Sequence, residues 1–191
     1  MEGMKEVKLA ILSILAGVMG WTADIPPSSS VLDRWVVTSK TDALTGAQYT
    51  EFMLLGKFIQ KPRRDGLPVL TLRCSDGKFQ EGTLTGGFII STEIVDANRL
   101  YGWTRSGPVP AVPLEIRTGN DAPRREIWTP SENLKAGFFN RGAARRLLIT
   151  KQHALAPEIV IRITEYVGGQ VDMHFDLPQN TDAITACGLL N

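Results

Sequence analysis

Residues 161–177 read IRITEYVGGQVDMHFDL and carry the strongest strand pattern in the chain. Apolar and polar residues alternate on both sides of the pair formed by Gly168 and Gly169. Successive side chains point to opposite faces of a strand, and a Gly-Gly pair suits the tight turn between two antiparallel strands. This stretch therefore predicts a β-hairpin with one face in the protein core and the other toward solvent.

Short extended runs also occur along most of the chain before this hairpin. Clusters of Gly, Pro and Asn separate them, and they cover residues 34–42, 48–55, 68–74, 78–84, 88–90, 99–104, 114–117 and 125–129. Strands at this spacing are typical of an all-β domain rather than of alternating strands and helices. The pattern indicates an antiparallel β-sandwich or barrel, and we adopt the sandwich as the predicted fold.

Two short helices are expected near the C-terminus. Asn140 can cap a helix over residues 141–149, in which four apolar residues share one face and the arginines lie on the other. Asn180 or Thr181 can cap a second helical turn over residues 183–187. The predicted fold is therefore mainly β, with both helices in its last third.

The length and composition indicate a single globular domain. The chain has 191 residues, of which 43% are hydrophobic and 21% charged. Two lysines precede an apolar stretch at residues 9–20, whose length fits a secretory signal peptide and is short for a bilayer span. We predict a signal peptide or an uncleaved N-terminal anchor at residues 1–23, a flexible leader at 24–33 and one β-sandwich domain at 34–191. The expected location is periplasmic or secreted.

The net charge of +1 gives no reason to expect nucleic-acid binding. Basic residues are nevertheless concentrated between Arg117 and Lys151, where eight of them accompany three acidic residues. Arg141, Arg145 and Arg146 on the predicted helix form a candidate patch for an anionic partner. The alternative is an ordinary solvated surface of loops and a helix.

The chain contains two cysteines, Cys74 and Cys187. An even number of cysteines in an exported chain indicates a disulfide, which would tie a central strand to the C-terminal segment. Two buried free thiols are the alternative, and they would be expected if the chain stayed in the cytosol.

The second strand of the hairpin presents Asp172, His174 and Asp176 on one face. Two carboxylates and an imidazole could bind a divalent cation if a fourth ligand came from elsewhere in the chain. The candidates for that ligand are His153, Glu158 and Glu165. The solvated face of an antiparallel strand needs the same alternation, and we favour that interpretation. No nucleophile, phosphate-loop or dinucleotide motif is present in the sequence, so we predict no catalytic residue and no cofactor.

Five segments, in this order, resemble the VasI or TagO periplasmic proteins associated with type VI secretion. They are WVV from Trp35 with Thr41-Asp42 beyond it, LTLRC ending at Cys74, IRITEY from Ile161, FDL from Phe175 and ACG from Ala186. The resemblance implies a non-enzymatic β-domain facing the cell envelope, in which Cys74 and Cys187 match the family's cysteines. The chain departs from the family in having a Pro-Pro-Ser-Ser-Ser leader where a further cysteine-containing segment is expected.

The sequence thus favours an exported accessory or binding protein of the envelope. Its partner would be a protein of the envelope or of a secretion apparatus, or an anionic envelope polymer. Two alternatives stay open: a metal-dependent envelope hydrolase centred on Asp172, His174 and Asp176, and an anchored structural subunit that assembles through strand edges. Membrane contact is expected only through an uncleaved N-terminus, and the oligomeric state is left open.

Overall fold

The computed structural model describes residues 34–59, 66–96, 107–151 and 154–190. The strands in this part of the chain are β1 (Val36–Thr41), β2 (Gln48–Leu55), β3 (Lys57–Phe58), β4 (Val69–Ser75), β5 (Lys78–Thr85), β6 (Glu93–Asp96), β7 (Pro108–Thr118), β8 (Arg124–Pro130), β9 (Ala136–Phe139), β10 (Glu158–Thr164) and β11 (Gln170–Asp176). The helices are α1 (Arg141–Leu148), between β9 and β10, and α2 (Asp182–Ala186), after β11.

The strands form one antiparallel, curled sheet. Their order is β1-β2-β4-β5-β9-β8-β7-β10-β11-β3, and β6 pairs with β7 beside this path. The predicted mainly β fold with two short helices is confirmed. The strands do not divide into the two clear layers of a sandwich, because β9 pairs with both β5 and β8 and joins the two halves.

The hairpin of β10 and β11 has the predicted faces, but its turn spans residues 165–169 and is longer than the predicted Gly-Gly turn. Thr164 lies opposite Gln170 at the turn, and Glu158 lies opposite Asp176 at the far end. The alternate apolar side chains of both strands are buried in the core: Ile159, Ile161, Ile163, Val171, Met173 and Phe175. The period-two pattern therefore identified the buried face of this hairpin correctly.

Elsewhere, the sequence prediction agrees with the structure better for long strands than for short ones. The predicted strand at 48–55 has the bounds of β2, whereas the run at 88–90 contributes only an isolated bridge between Ile90 and Glu165. The four-residue strands β6 and β9 were not expected. The predicted signal peptide or anchor, the leader, the run at 99–104 and His153 lie outside the described residues.

Helix α1 packs against the core as its amphipathic pattern predicts. The side-chain oxygen of Asn140 accepts a hydrogen bond from the backbone N–H of Ala143 at 3.0 Å, which satisfies a donor at the helix start. The buried residues are Ala143, Ala144, Leu147 and Leu148. Helix α2 brings Cys187 against β4, where it forms a disulfide with Cys74.

Gly56 connects two strands that lie toward opposite ends of the sheet. It separates β2 from β3, and β3 pairs with β11 at the end of the strand path opposite β2. A Cβ atom at Gly56 would lie 2.7 Å from a ring carbon of Phe175 and 2.8 Å from the carbonyl oxygen of His174. Because Gly56 has no side chain, the chain at the end of β2 can pass close to β11 at the other end of the curled sheet.

Replacing Gly56 with alanine should lower the free energy of unfolding by about 1–3 kcal/mol, because the new methyl group overlaps a buried ring and a backbone carbonyl. Urea denaturation of the purified chain measures this change. Gly142→Ala is the matched control, since a Cβ atom there makes only ordinary contacts and alanine favours the helix. A Gly56→Ala protein as stable as the control would show that β2 does not pass close to β11.

Candidate functional site

The three candidate metal ligands on β11 share one face, as predicted, but each has a different partner. Asp172 accepts hydrogen bonds from Nε and Nη2 of Arg162 at 2.7 and 2.9 Å. His174 Nε2 lies 2.7 Å from Oε2 of Glu158, and Lys57 Nζ donates to Asp176 at 3.1 Å. The three side chains therefore belong to cross-strand pairs, and His174 Nε2 also lies 3.6 Å from Oδ1 of Asp176.

Cations from neighbouring strands oppose metal binding at this face. Arg117 lies 2.7 Å from Glu158, and the hydrogen bond with His174 lowers the pKa of the Glu158 carboxyl, as does Arg117. The hydrogen bonds from Arg162 hold the pKa of Asp172 below its usual range. Within the described ranges, no group of three His, Cys, Asp or Glu side chains is placed to hold a metal ion. The charged side chains on this face are paired across strands, and those of Asp172 and His174 are only 14% exposed.

The three arginines of the predicted anionic-partner patch all lie on α1. Arg141 donates from Nη2 to the carbonyl oxygen of Gly188, so its side chain joins α1 to the C-terminal segment. Arg146 donates from Nε and Nη2 to the two carboxylate oxygens of Glu126 at 2.7 and 3.0 Å. Arg145 is exposed on the same helix. Binding of an anionic partner by these arginines stays a prediction.

Glu126 is the centre of a buried ionic cluster that the sequence did not reveal. Its side chain is only 6% exposed, and it faces inward from β8. Besides Arg146, it accepts from Arg124 Nε at 3.0 Å and from Trp128 Nε1 at 3.3 Å. Burial alone would raise the pKa of Glu126, but the hydrogen bonds from Arg146 and Arg124 outweigh burial and lower it. The carboxylate is therefore held in its ionised form.

Two aromatic rings form a wall beside this cluster. The Trp128 and Phe139 rings lie 4.6 Å apart between centroids, and both residues are buried. The Phe139 ring lies directly over Gly82 of β5, where a Cβ atom would come within 2.0 Å of it. The missing side chain at Gly82 thus lets the ring of Phe139 lie against the backbone of β5.

A groove of about 740 Å³ opens between β5 and β8, next to the cluster and the aromatic wall. Gln80 and Glu81 line it from β5, and residues 124–129 line it from β8. Helix α1 contributes Arg146, and Asn140 lies at the end of β9. Its volume lies in the range of small-ligand sites in other proteins. The groove combines charged, aromatic and backbone groups, and it is the candidate functional site.

The sequence did carry a partial signal for this site. Glu126 and Trp128 alternate with Arg125 and Ile127 along the predicted strand 125–129, and Arg124, directly before it, extends the alternation in β8. One face of that strand therefore holds two charged residues and a tryptophan, and the structure turns this face inward. Charged residues on a core-facing strand need partners, and Glu126 finds one on β8, Arg124, and one on α1, Arg146. The pairing of α1 with β8 joins segments 20 residues apart, which periodicity does not reveal.

The predicted disulfide is confirmed between Cys74 and Cys187, both of which are buried. Because disulfides persist in oxidising environments, this bond indicates an extracytoplasmic compartment. Neither helix in the described part of the chain has the length and apolar character that a membrane span requires.

Comparison of the chain with protein-family models, curated proteins and solved structures finds no match. The similarity to the VasI and TagO proteins stays a prediction based on the five segments quoted above.

Proposed function

We propose that this chain is an exported, non-catalytic binding protein of the cell envelope and that the groove between β5 and β8 is its binding site. The groove is the observation that carries the proposal, because it places three arginines, an aromatic wall and two strand edges around one opening. The Cys74–Cys187 disulfide supports the extracytoplasmic location. The similarity to type VI secretion accessory proteins is consistent with an envelope role.

The metal-dependent hydrolase is the weaker alternative. Its candidate residues Asp172 and Asp176 are held by Arg162 and Lys57, and Glu158 beside His174 is held by Arg117. A divalent cation would have to displace these cations or tolerate their charge. The site on β11 therefore supports catalysis less well than the groove supports binding.

Site-specific photocrosslinking in the native host tests the proposed binding site. A photoreactive amino acid at Gln80, an exposed groove residue, should form an adduct with an envelope component after irradiation. The same amino acid at Gln170, exposed at the start of β11, is the matched control and should form none. Adducts at neither position, or only at Gln170, would contradict the proposal. Adducts between two copies of this chain would favour the alternative of assembly through strand edges.

A further inference from the structure

Strands β5 and β8 border a space, here called the lane, that β9 fills over only part of the length of the two strands. The groove is the part of the lane that β9 leaves open. β9 pairs with β5 over Gly82 to Thr85 and with β8 only at Thr129 and Pro130, and it is antiparallel to both. It ends at Phe139, where Asn140 caps α1 and the chain leaves the sheet. Among the described residues, no strand lies opposite residues 124–127 of β8 on this side, because β9 ends at Phe139 beside Trp128. The lane therefore continues beyond Phe139 as an opening between β5 and β8.

The length of this opening is set by its neighbours. Four residues of β8, 124–127, border it, which corresponds to roughly 13 Å of extended chain. On the β5 side the C-terminal segment closes the lane at Phe79, whose N–H donates to the carbonyl oxygen of Cys187 at 2.9 Å. Gln80 and Glu81 are left along the groove. An extended segment of about four residues matches the open border of β8, and about two of its residues would lie beside Gln80 and Glu81 of β5.

Side chains from both faces of the sheet line the opening. Trp128 and Phe139 are buried on the inner face, whereas Ile127 and Phe138 are half-buried in the alternate positions of the same strands. The groove thus passes through the plane of the sheet. An inserted strand would send alternate side chains inward, toward the ionic cluster, and outward, beside Ile127 and Phe138.

The inner side of the groove favours a negative charge. Two guanidinium groups, from Arg124 and Arg146, share the single carboxylate of Glu126, which leaves one positive charge in the cluster. The side chain of Arg146 is 55% exposed, and it lines the groove. Arginine binds carboxylates through strong, charge-assisted hydrogen bonds. An acidic side chain that points inward from the lane would meet this cluster.

We propose that the groove binds an extended polypeptide of a partner protein as an added strand, antiparallel to β5 and β8. Its inward-facing side chains include a carboxylate that Arg146 recognises, and its outward-facing side chains are apolar and pack beside Ile127 and Phe138. Backbone hydrogen bonds to the strand edges provide affinity, and the alternating side chains provide selectivity. This inference rests on the proposed function, because it assigns the chemical class of the ligand to the same site.

Fluorescence anisotropy with synthetic peptides and the purified, disulfide-bonded chain tests the inference. The probe is a labelled peptide in which valine and glutamate alternate. We expect saturable binding, about tenfold weaker binding of the valine and glutamine peptide because a charged hydrogen bond is lost, and no binding when alternate backbone nitrogens are methylated. Equal binding of the glutamate and glutamine peptides, or binding of the methylated peptide, would overturn the inference.

Arg146→Gln identifies the recognising residue. The variant should bind the glutamate and glutamine peptides equally, whereas Arg145→Gln, a change at a neighbouring residue outside the groove lining, should keep the tenfold preference. Circular dichroism and a urea midpoint show whether each variant is folded at the assay temperature. Because the peptide controls change only the ligand, they decide the question even if Arg146→Gln does not fold. No binding of any peptide at millimolar concentration, together with an adduct at Gln80, would overturn the inference and leave the proposed function standing.

Discussion

The chain in which Cys74 and Cys187 are both alanine is expected to unfold with a free energy about 4 kcal/mol below that of the wild type. The bond joins residues 113 positions apart, so its removal greatly increases the number of conformations available to the unfolded chain. The two sulfur atoms are also buried in the core, and alanine leaves part of their volume unfilled. Urea denaturation at neutral pH, without reductant, measures the difference.

Reductant provides the control for this experiment. It should lower the midpoint of the wild type to a value near that of the double variant, and it should leave the midpoint of the variant unchanged. A double variant as stable as the oxidised wild type would show that the bond contributes little to the stability of the fold.

Replacing Glu126 with glutamine is expected to lower the free energy of unfolding by about 3 kcal/mol at neutral pH. The substitution keeps the shape of the side chain but leaves Arg124 and Arg146 without the charge that balances them. Arg124 is only 25% exposed, so water compensates its charge poorly. Glu132→Gln, at an exposed turn position, is the matched control and should change the stability by less than about 0.5 kcal/mol.

The cost of Glu126→Gln should depend on pH in a defined direction. The pKa of Glu126 is lower in the folded protein than its ordinary value of 4.5. The ionised Glu126 carboxylate therefore contributes fully to the stability of the fold above pH 4.5. This contribution disappears as the pH falls through the lowered folded-state pKa. The stability difference between wild type and variant should be constant from pH 7 to about pH 5 and should shrink below pH 4.5. A difference that grew in acid would show that Glu126 is protonated in the folded chain.

The parts of the fold that depend on neighbouring residues were predictable from the sequence. The alternation in β10 and β11 gave the correct buried face, and Asn140 marked the start of α1. These signals work because a strand or a helix start is decided within a few residues. The disulfide was predictable because only two cysteines are present and export was expected.

The curl of the sheet and the groove were not predictable, because both depend on distant residues. β9 is four residues long and contains Gly137, so it carries almost no strand signal, yet it joins the two halves of the sheet. The partners of Glu126 come from two different elements, β8 and α1. Periodicity shows which face of a strand is buried, but it does not show which element covers that face.

The meeting of β3 with β11 also sets the order in which this chain can fold. Lys57 and Phe58 find their partners only at His174 and Met173, more than 100 residues later, so the sheet stays unfinished until almost the whole chain has been synthesised. Contacts this distant slow folding, because the loop between them must close first. A newly made chain would therefore remain open for longer than one built from neighbouring hairpins. Such a delay suits a protein that crosses a membrane before it folds, as the proposed export requires.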